Sequence, residues 1–136
     1  MIRKLPMALA AVAALCGAAP PRVSPAALPA PLVIDTFDVP ADKGQQEVQV
    51  VKREFPVGGS SGWHVHPGVE TAYVLSGEML FEMAGQPPRR MHAGDSMTAA
   101  RGTAHNGTNI GKGPARLLIT YVVDKGAPVR QSVPAP

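Results

Sequence analysis

Between Leu32 and Val123 short apolar runs rich in Val, Ile, Thr, Phe and Tyr alternate with Gly- and Pro-containing breaks, and no stretch carries the periodicity of an amphipathic helix. Leu32 to Val39 and Gln46 to Phe55 read as strands joined by the turn Pro40-Ala41-Asp42-Lys43-Gly44. Trp63 to His66, Val69 to Ser76 and Glu78 to Gly85 follow, divided by Pro67-Gly68 and by Gly77, and Gly85-Gln86-Pro87-Pro88 closes the next hairpin. Ser96 to Ala99 reads as a brief strand, and Gly102 to Ile110 and Ala115 to Val123 complete the pattern across a turn at Gly111-Lys112-Gly113-Pro114. Strand parity sets Met79, Phe81 and Met83 on one face, the more apolar and so the buried one, and Glu78, Leu80 and Glu82 on the other. About eight or nine short strands with no helix to cover them must bury their apolar faces by stacking two sheets or closing one. The expected fold is therefore all-β, a jelly-roll-like antiparallel β-barrel.

The regular pattern covers residues 32–123, and the flanks differ in composition. Residues 20–31 form a proline- and alanine-rich linker, expected to run extended outside the core. Residues 124–136 are polar and proline-containing, a frayed tail or an arm lying on the surface or on a neighbouring subunit of a homodimer. At the start, Arg3 and Lys4 precede an apolar run that is too short to anchor stably in a bilayer but suits the core of a secretory signal peptide over residues 1–19. Gly17, Ala18 and Ala19 are the small residues a signal peptidase requires, so cleavage is expected after Ala18 or Ala19, with sites near Ala27 or Ala30 as alternatives. The mature protein would be periplasmic or secreted, with no stable membrane anchor. Cys16 offers lipidation as an alternative, but Leu15 stands where lipoprotein signals carry a small residue. Cleavage beyond Cys16 would remove the single cysteine of the chain and with it any disulfide.

The formal charge of +3 falls by two when Arg3 and Lys4 leave with the leader. Basic residues adjoin at Lys52-Arg53 and Arg89-Arg90, both read as solvated surface charge, and the few aromatics form no stripe beside them. A nucleic-acid partner is not expected.

The chemistry concentrates in Gly58–Gly77, GGSSGWHVHPGVETAYVLSG. In an extended strand His64 and His66 face the same way while Val65 turns to the opposite wall. Glu70 follows across Pro67-Gly68, a pair that interrupts a central strand and turns the chain. Gly58, five residues, His64-x-His66, three residues, Glu70, six residues and Gly77 together resemble the first motif of the cupin family at every position. Gly94, Gly102, His105 and Asn109 are similar to the second motif, with one departure: Ala100 stands where the family has proline. The resemblance spans about residues 55 to 123, and paired motifs are far more specific than a lone His-x-His. It implies a jelly-roll barrel with His64, His66, Glu70 and His105 projecting inside.

Three imidazoles and one carboxylate, with no thiolate, suit a divalent first-row transition metal (iron, manganese, nickel, copper or zinc) and leave two octahedral positions for water or substrate. A structural zinc site would close with four ligands and usually some cysteine. Each histidine alone could be an ordinary core or surface residue, but four ionisable groups together in a barrel need partners. His92 falls outside the motifs, at a turn. Tyr73, Arg101 and Tyr121 are further residues that could reach the site. In flavonol dioxygenases of the cupin family the corresponding glutamate takes a substrate proton, which implies a catalytic role for Glu70. Two functions follow: a metal-dependent enzyme, dioxygenase-like before lyase or isomerase, acting on a small organic molecule, or a non-catalytic module that binds a small ligand or metal.

Overall fold

A computed structural model of the chain describes residues 27–39 and 44–136. The expected leader over 1–19, residues 20–26 of the linker and residues 40–43 of the first turn lie outside the described residues. Of the linker, residues 27–31 carry no strand, and Leu28 packs against the core.

Every regular element among the described residues is a strand. In chain order these are β1 (Leu32–Val39), β2 (Gln46–Phe55), β3 (His64–Val65), β4 (Gly68–Ser76), β5 (Glu78–Met83), β6 (Arg89–His92), β7 (Ser96–Ala99), β8 (His105–Asn109), β9 (Ala115–Asp124) and β10 (Gln131–Ser132). They form two five-stranded sheets in the orders β1-β2-β9-β4-β7 and β10-β3-β8-β5-β6, with every pairing antiparallel. The ladder does not run continuously round the two sheets, so the expected barrel takes the form of a jelly-roll of two stacked sheets.

Alternation decides what goes between them. On β4, Gly68, Glu70, Ala72 and Val74 are buried, while Val69, Thr71, Tyr73 and Leu75 face out. On β9, Ala115, Leu117, Ile119, Tyr121 and Val123 are buried. The second sheet answers with Met79, Phe81 and Met91, so the methionine face of β5 is the inner one, as parity predicts. Glu78 on the other face is half-buried and pairs with exposed Arg90 at 2.8 Å.

The chain changes sheets twice within the first motif, and glycine permits both crossings to be tight. After β3 it crosses at His66-Pro67, and a Cβ on Gly68 would run into the carbonyl of Val122 on β9. After β4 it crosses back at Gly77, whose φ of 86° is open to glycine and whose added Cβ would lie 2.6 Å from the Cα of Ala115. Asn109, the last residue of the second motif, is fully buried and pins three segments: its Nδ2 donates to the carbonyls of Phe55 and Gly113 at 2.9 Å each, and its Oδ1 accepts from the Gly111 amide at 2.9 Å.

Candidate metal centre

The two crossings bring ligands from both sheets to one point. His64 on β3 stands in register opposite His105, the first residue of β8, in the second sheet. Glu70 comes from the inner face of β4 in the first sheet, in register with Tyr121 on β9. His66 sits in the crossover between them. All four are at most 5 % exposed, and one nitrogen or oxygen of each lies within 4.8 Å of the others.

Each imidazole is oriented from behind by a backbone carbonyl. His64 Nδ1 donates to Gly62 O at 2.7 Å, His66 Nδ1 to Val129 O at 2.6 Å, and His105 Nδ1 to Thr103 O at 2.8 Å. A carbonyl only accepts, so each Nδ1 carries hydrogen and each neutral ring presents its Nε2 lone pair to the centre. There the nitrogens meet one oxygen: Glu70 Oε2 lies 2.6 Å from His66 Nε2, 3.2 Å from His105 Nε2 and 4.0 Å from His64 Nε2. The His66 contact is short but misaligned, leaving His66 Nε2 buried without a hydrogen-bond partner. Converging lone pairs repel unless a cation stands among them. The donor set thus fits a divalent metal, which His64, His66, Glu70 and His105 could hold.

Without the ion, protons do the compensating. Burial acts to raise the Glu70 pKa, but the close contacts with His105 and His66 outweigh it and hold the carboxyl at about 2. Burial would lower His105, yet the Glu70 carboxylate lifts it above the ordinary imidazole value. His64, farthest from the carboxylate, is pushed down to about 4 by burial and is neutral at pH 7.

Of the further residues expected within reach, Tyr121 alone arrives: its ring packs against His66 at 4.9 Å between centroids, and burial beside Glu70 pushes its phenol pKa up. Tyr73 lies on the outer face of β4 and is 44 % exposed. Arg101 is exposed and paired with Asp124 through bonds of 2.6 and 2.7 Å. His92 is exposed at the end of β6, away from the centre, as its place outside the motifs suggested.

Two residues of the chamber escape a reading by composition. Arg53, expected on the surface with Lys52, instead lines the chamber, because Val51, Arg53 and Phe55 share the inner face of β2. Period-two parity carries that signal. Arg130 lies in the segment after Asp124, where no apolar periodicity marks structure. That segment folds back on its own chain, β10 pairs with β3, and Arg130 Nη2 donates to Ser61 O at 2.9 Å. The chamber these residues enclose has only about 20 Å³ of room, enough for roughly one or two waters.

The family model for the cupin domain matches residues 51–121, slightly more than half of the chain, and the chain belongs to the cupin family. It is 40% identical over 50 residues to dimethylsulfoniopropionate lyase DddQ of Ruegeria pomeroyi, a match covering 37% of this chain and 25% of that protein. A double-stranded β-helix protein from Klebsiella pneumoniae superimposes with a TM-score of 0.60 at 24% identity, over 77% of this chain and 85% of that one. Oxalate oxidase in complex with the substrate analogue glycolate superimposes with a TM-score of 0.56 at 26% identity, over 63% of this chain and 46% of that one. The chain thus spans about a quarter of the lyase and under half of the oxidase.

Proposed function

We propose that the protein is an exported metal-dependent enzyme, dioxygenase-like in its chemistry, that acts on a small organic molecule. The observation that carries this reading is the convergence of three Nε2 lone pairs and one carboxylate, each ring fixed from behind, on a point that also faces a chamber. Four protein donors leave two octahedral positions free, and the set has no thiolate. A bound metal there supplies a Lewis-acidic, redox-capable centre. The leader sequence supports export, and similarity to an oxidase and a lyase of small substrates supports catalysis.

The chain's own residues do the rest. The small chamber restricts the substrate to a compact molecule and excludes bulk water. Glu70 is the group placed to take a substrate proton. In the metal-free protein its basicity is suppressed by His66 and His105, the same side chains that would turn their lone pairs to a metal. The Glu70 carboxylate would be held deprotonated while bound to a divalent ion in the centre, so Glu70 takes a substrate proton as it leaves the ion.

Tyr121 favours a second reading, a lyase. A buried phenol beside Glu70 and His66 is a second group able to hold a proton without any oxidant. Oxygen separates the two. Metal content of the mature protein, followed by oxygen uptake and product analysis over small enols, phenols and hydroxy acids, is expected to show one metal per chain and oxygen consumption that Glu70→Gln abolishes. Turnover without oxygen would establish the lyase. Metal-loaded protein that converts nothing yet binds a small molecule would leave a non-catalytic binding module.

A further inference from the structure

The chamber is more cationic than a metal site requires. Arg53 from β2 and Arg130 from the C-terminal segment line it together with His64, Glu70 and His105. The two guanidiniums lie near enough to repel: the charge of Arg53, after burial, is a cause of the lowered pKa of Arg130. Among the described residues neither stands within ion-pair distance of a carboxylate. Arg53 Nε is buried with no hydrogen-bond partner, and Arg130 has a single bond, to Ser61 O. Among the other described arginines, Arg90, Arg101 and Arg116 each pair with an acidic side chain on the exposed surface, and exposed Arg89 bonds Ser96 O and Met91 Sδ.

Arg53 and Arg130 are both half-buried, but the buried Nε of Arg53 has no partner inside the protein, and an anion joining the two guanidiniums would satisfy it and offset their repulsion. With a divalent ion in place the imbalance grows, because Glu70 is the one carboxylate in the chamber lining. We propose that Arg53 and Arg130 form a clamp for the carboxylate of a small organic acid, which is the substrate or ligand class of this site; the proposal rests on the metal-centre reading above. A planar carboxylate matches the guanidinium fork in two parallel hydrogen bonds, and the chamber, with room for about one or two waters, takes little more than the carboxylate group itself. Arg130 also lines the larger outer groove, of about 570 Å³, that runs along the C-terminal segment beside His66. It therefore stands where a small acid would enter.

Calorimetric titration of metal-loaded protein with acetate, and with acetamide as the uncharged isostere, tests this. Acetate should bind and acetamide should not. Arg53→Gln and Arg130→Gln should each weaken acetate roughly tenfold or more by loss of a charge-assisted bidentate bond, with metal content unchanged. Arg53→Lys, which keeps the charge but loses the fork, should fall between wild type and Arg53→Gln, and serves also if the glutamine variant does not fold. Cobalt-loaded protein should show a visible absorption change with acetate that the glutamine variants need more acetate to reach. Equal binding of acetate by wild type and both arginine variants, or equal binding of acetamide, would overturn the clamp. If purified protein takes up no metal, the metal reading fails by itself; acetate binding to that protein, weakened by Arg53→Gln, would still uphold the clamp.

Discussion

His66 donates its Nδ1 proton to the carbonyl of Val129, 63 residues further along the chain, at 2.6 Å. A ligand of the first motif is thus oriented by the C-terminal segment. Removing residues 127–136 should lower metal affinity by roughly 10–100-fold, the usual cost of losing an outer hydrogen-bond partner. Competition with a chelator measures this. Unchanged affinity in the truncated protein would show that His66 is held by its own crossover.

His64→Ala, His66→Ala and His105→Ala should each cost more metal than that truncation, since each removes a bond to the ion itself. His92→Ala should cost none, its ring being exposed at the end of β6. Elemental analysis of the four purified variants decides, and a loss in His92→Ala equal to that in His66→Ala would break the assignment.

The metal-free protein should be acid-labile in a defined window. His64 is neutral in the fold down to about pH 4, whereas an unfolded histidine takes its proton near 6.5, so the unfolded state binds more protons between those values. Stability from His64 is therefore complete above about pH 6.5 and lost as pH falls toward about 4. Glu70, lowered from 4.5 to about 2, extends the loss below pH 4.5. His105 has the opposite sign: its raised pKa contributes below pH 6.5 and fades as pH rises. Urea titrations of metal-free protein from pH 7 to 3 should show a falling midpoint, and a flat profile would contradict the buried neutral His64.

Ala100 begins a turn in which the Thr103 amide donates to the Ala100 carbonyl at 3.0 Å and the Gly102 amide to the His66 carbonyl at 3.1 Å. Ala100→Pro should stabilise the protein by about 0.4–1 kcal/mol through the unfolded state. Thermal unfolding checks it, with a lower midpoint meaning that the backbone at Ala100 does not accept the proline ring.

Protein recovered from the exporting cell should lack the leader, so its intact mass should match a chain starting after Ala18 or Ala19. A full-length cytoplasmic chain would remove the export proposal, and a lipid-modified Cys16 would replace it with an anchored one.

What the sequence made legible follows from how local each signal is. The bounds of β1, β2 and β7 coincide with the expected runs because alternation and turn residues act within a few positions. The four candidate ligands were legible because two compact motifs hold them. Arg53 was not, because adjacency to Lys52 suggests surface charge while the parity of Val51, Arg53 and Phe55 puts it inside. Tyr73 and Tyr121 look alike as candidates, but they occupy opposite parities, one on the outward face of β4 and one on the inward face of β9. Arg130 and β10 depend on long-range pairing with the first motif, which no local pattern in a proline-rich segment announces.

The ligands also come from different halves of the sandwich, His64 and His105 from one sheet and Glu70 from the other. An ion held by all three would rivet the two sheets together, a cross-brace of the kind that other small domains obtain from a disulfide. Binding to the folded chain alone adds about 4 kcal/mol of stability when free metal exceeds the dissociation constant a thousandfold. Metal starvation would then be felt as fragility toward heat and proteases, so the abundance of the protein would itself report on metal supply.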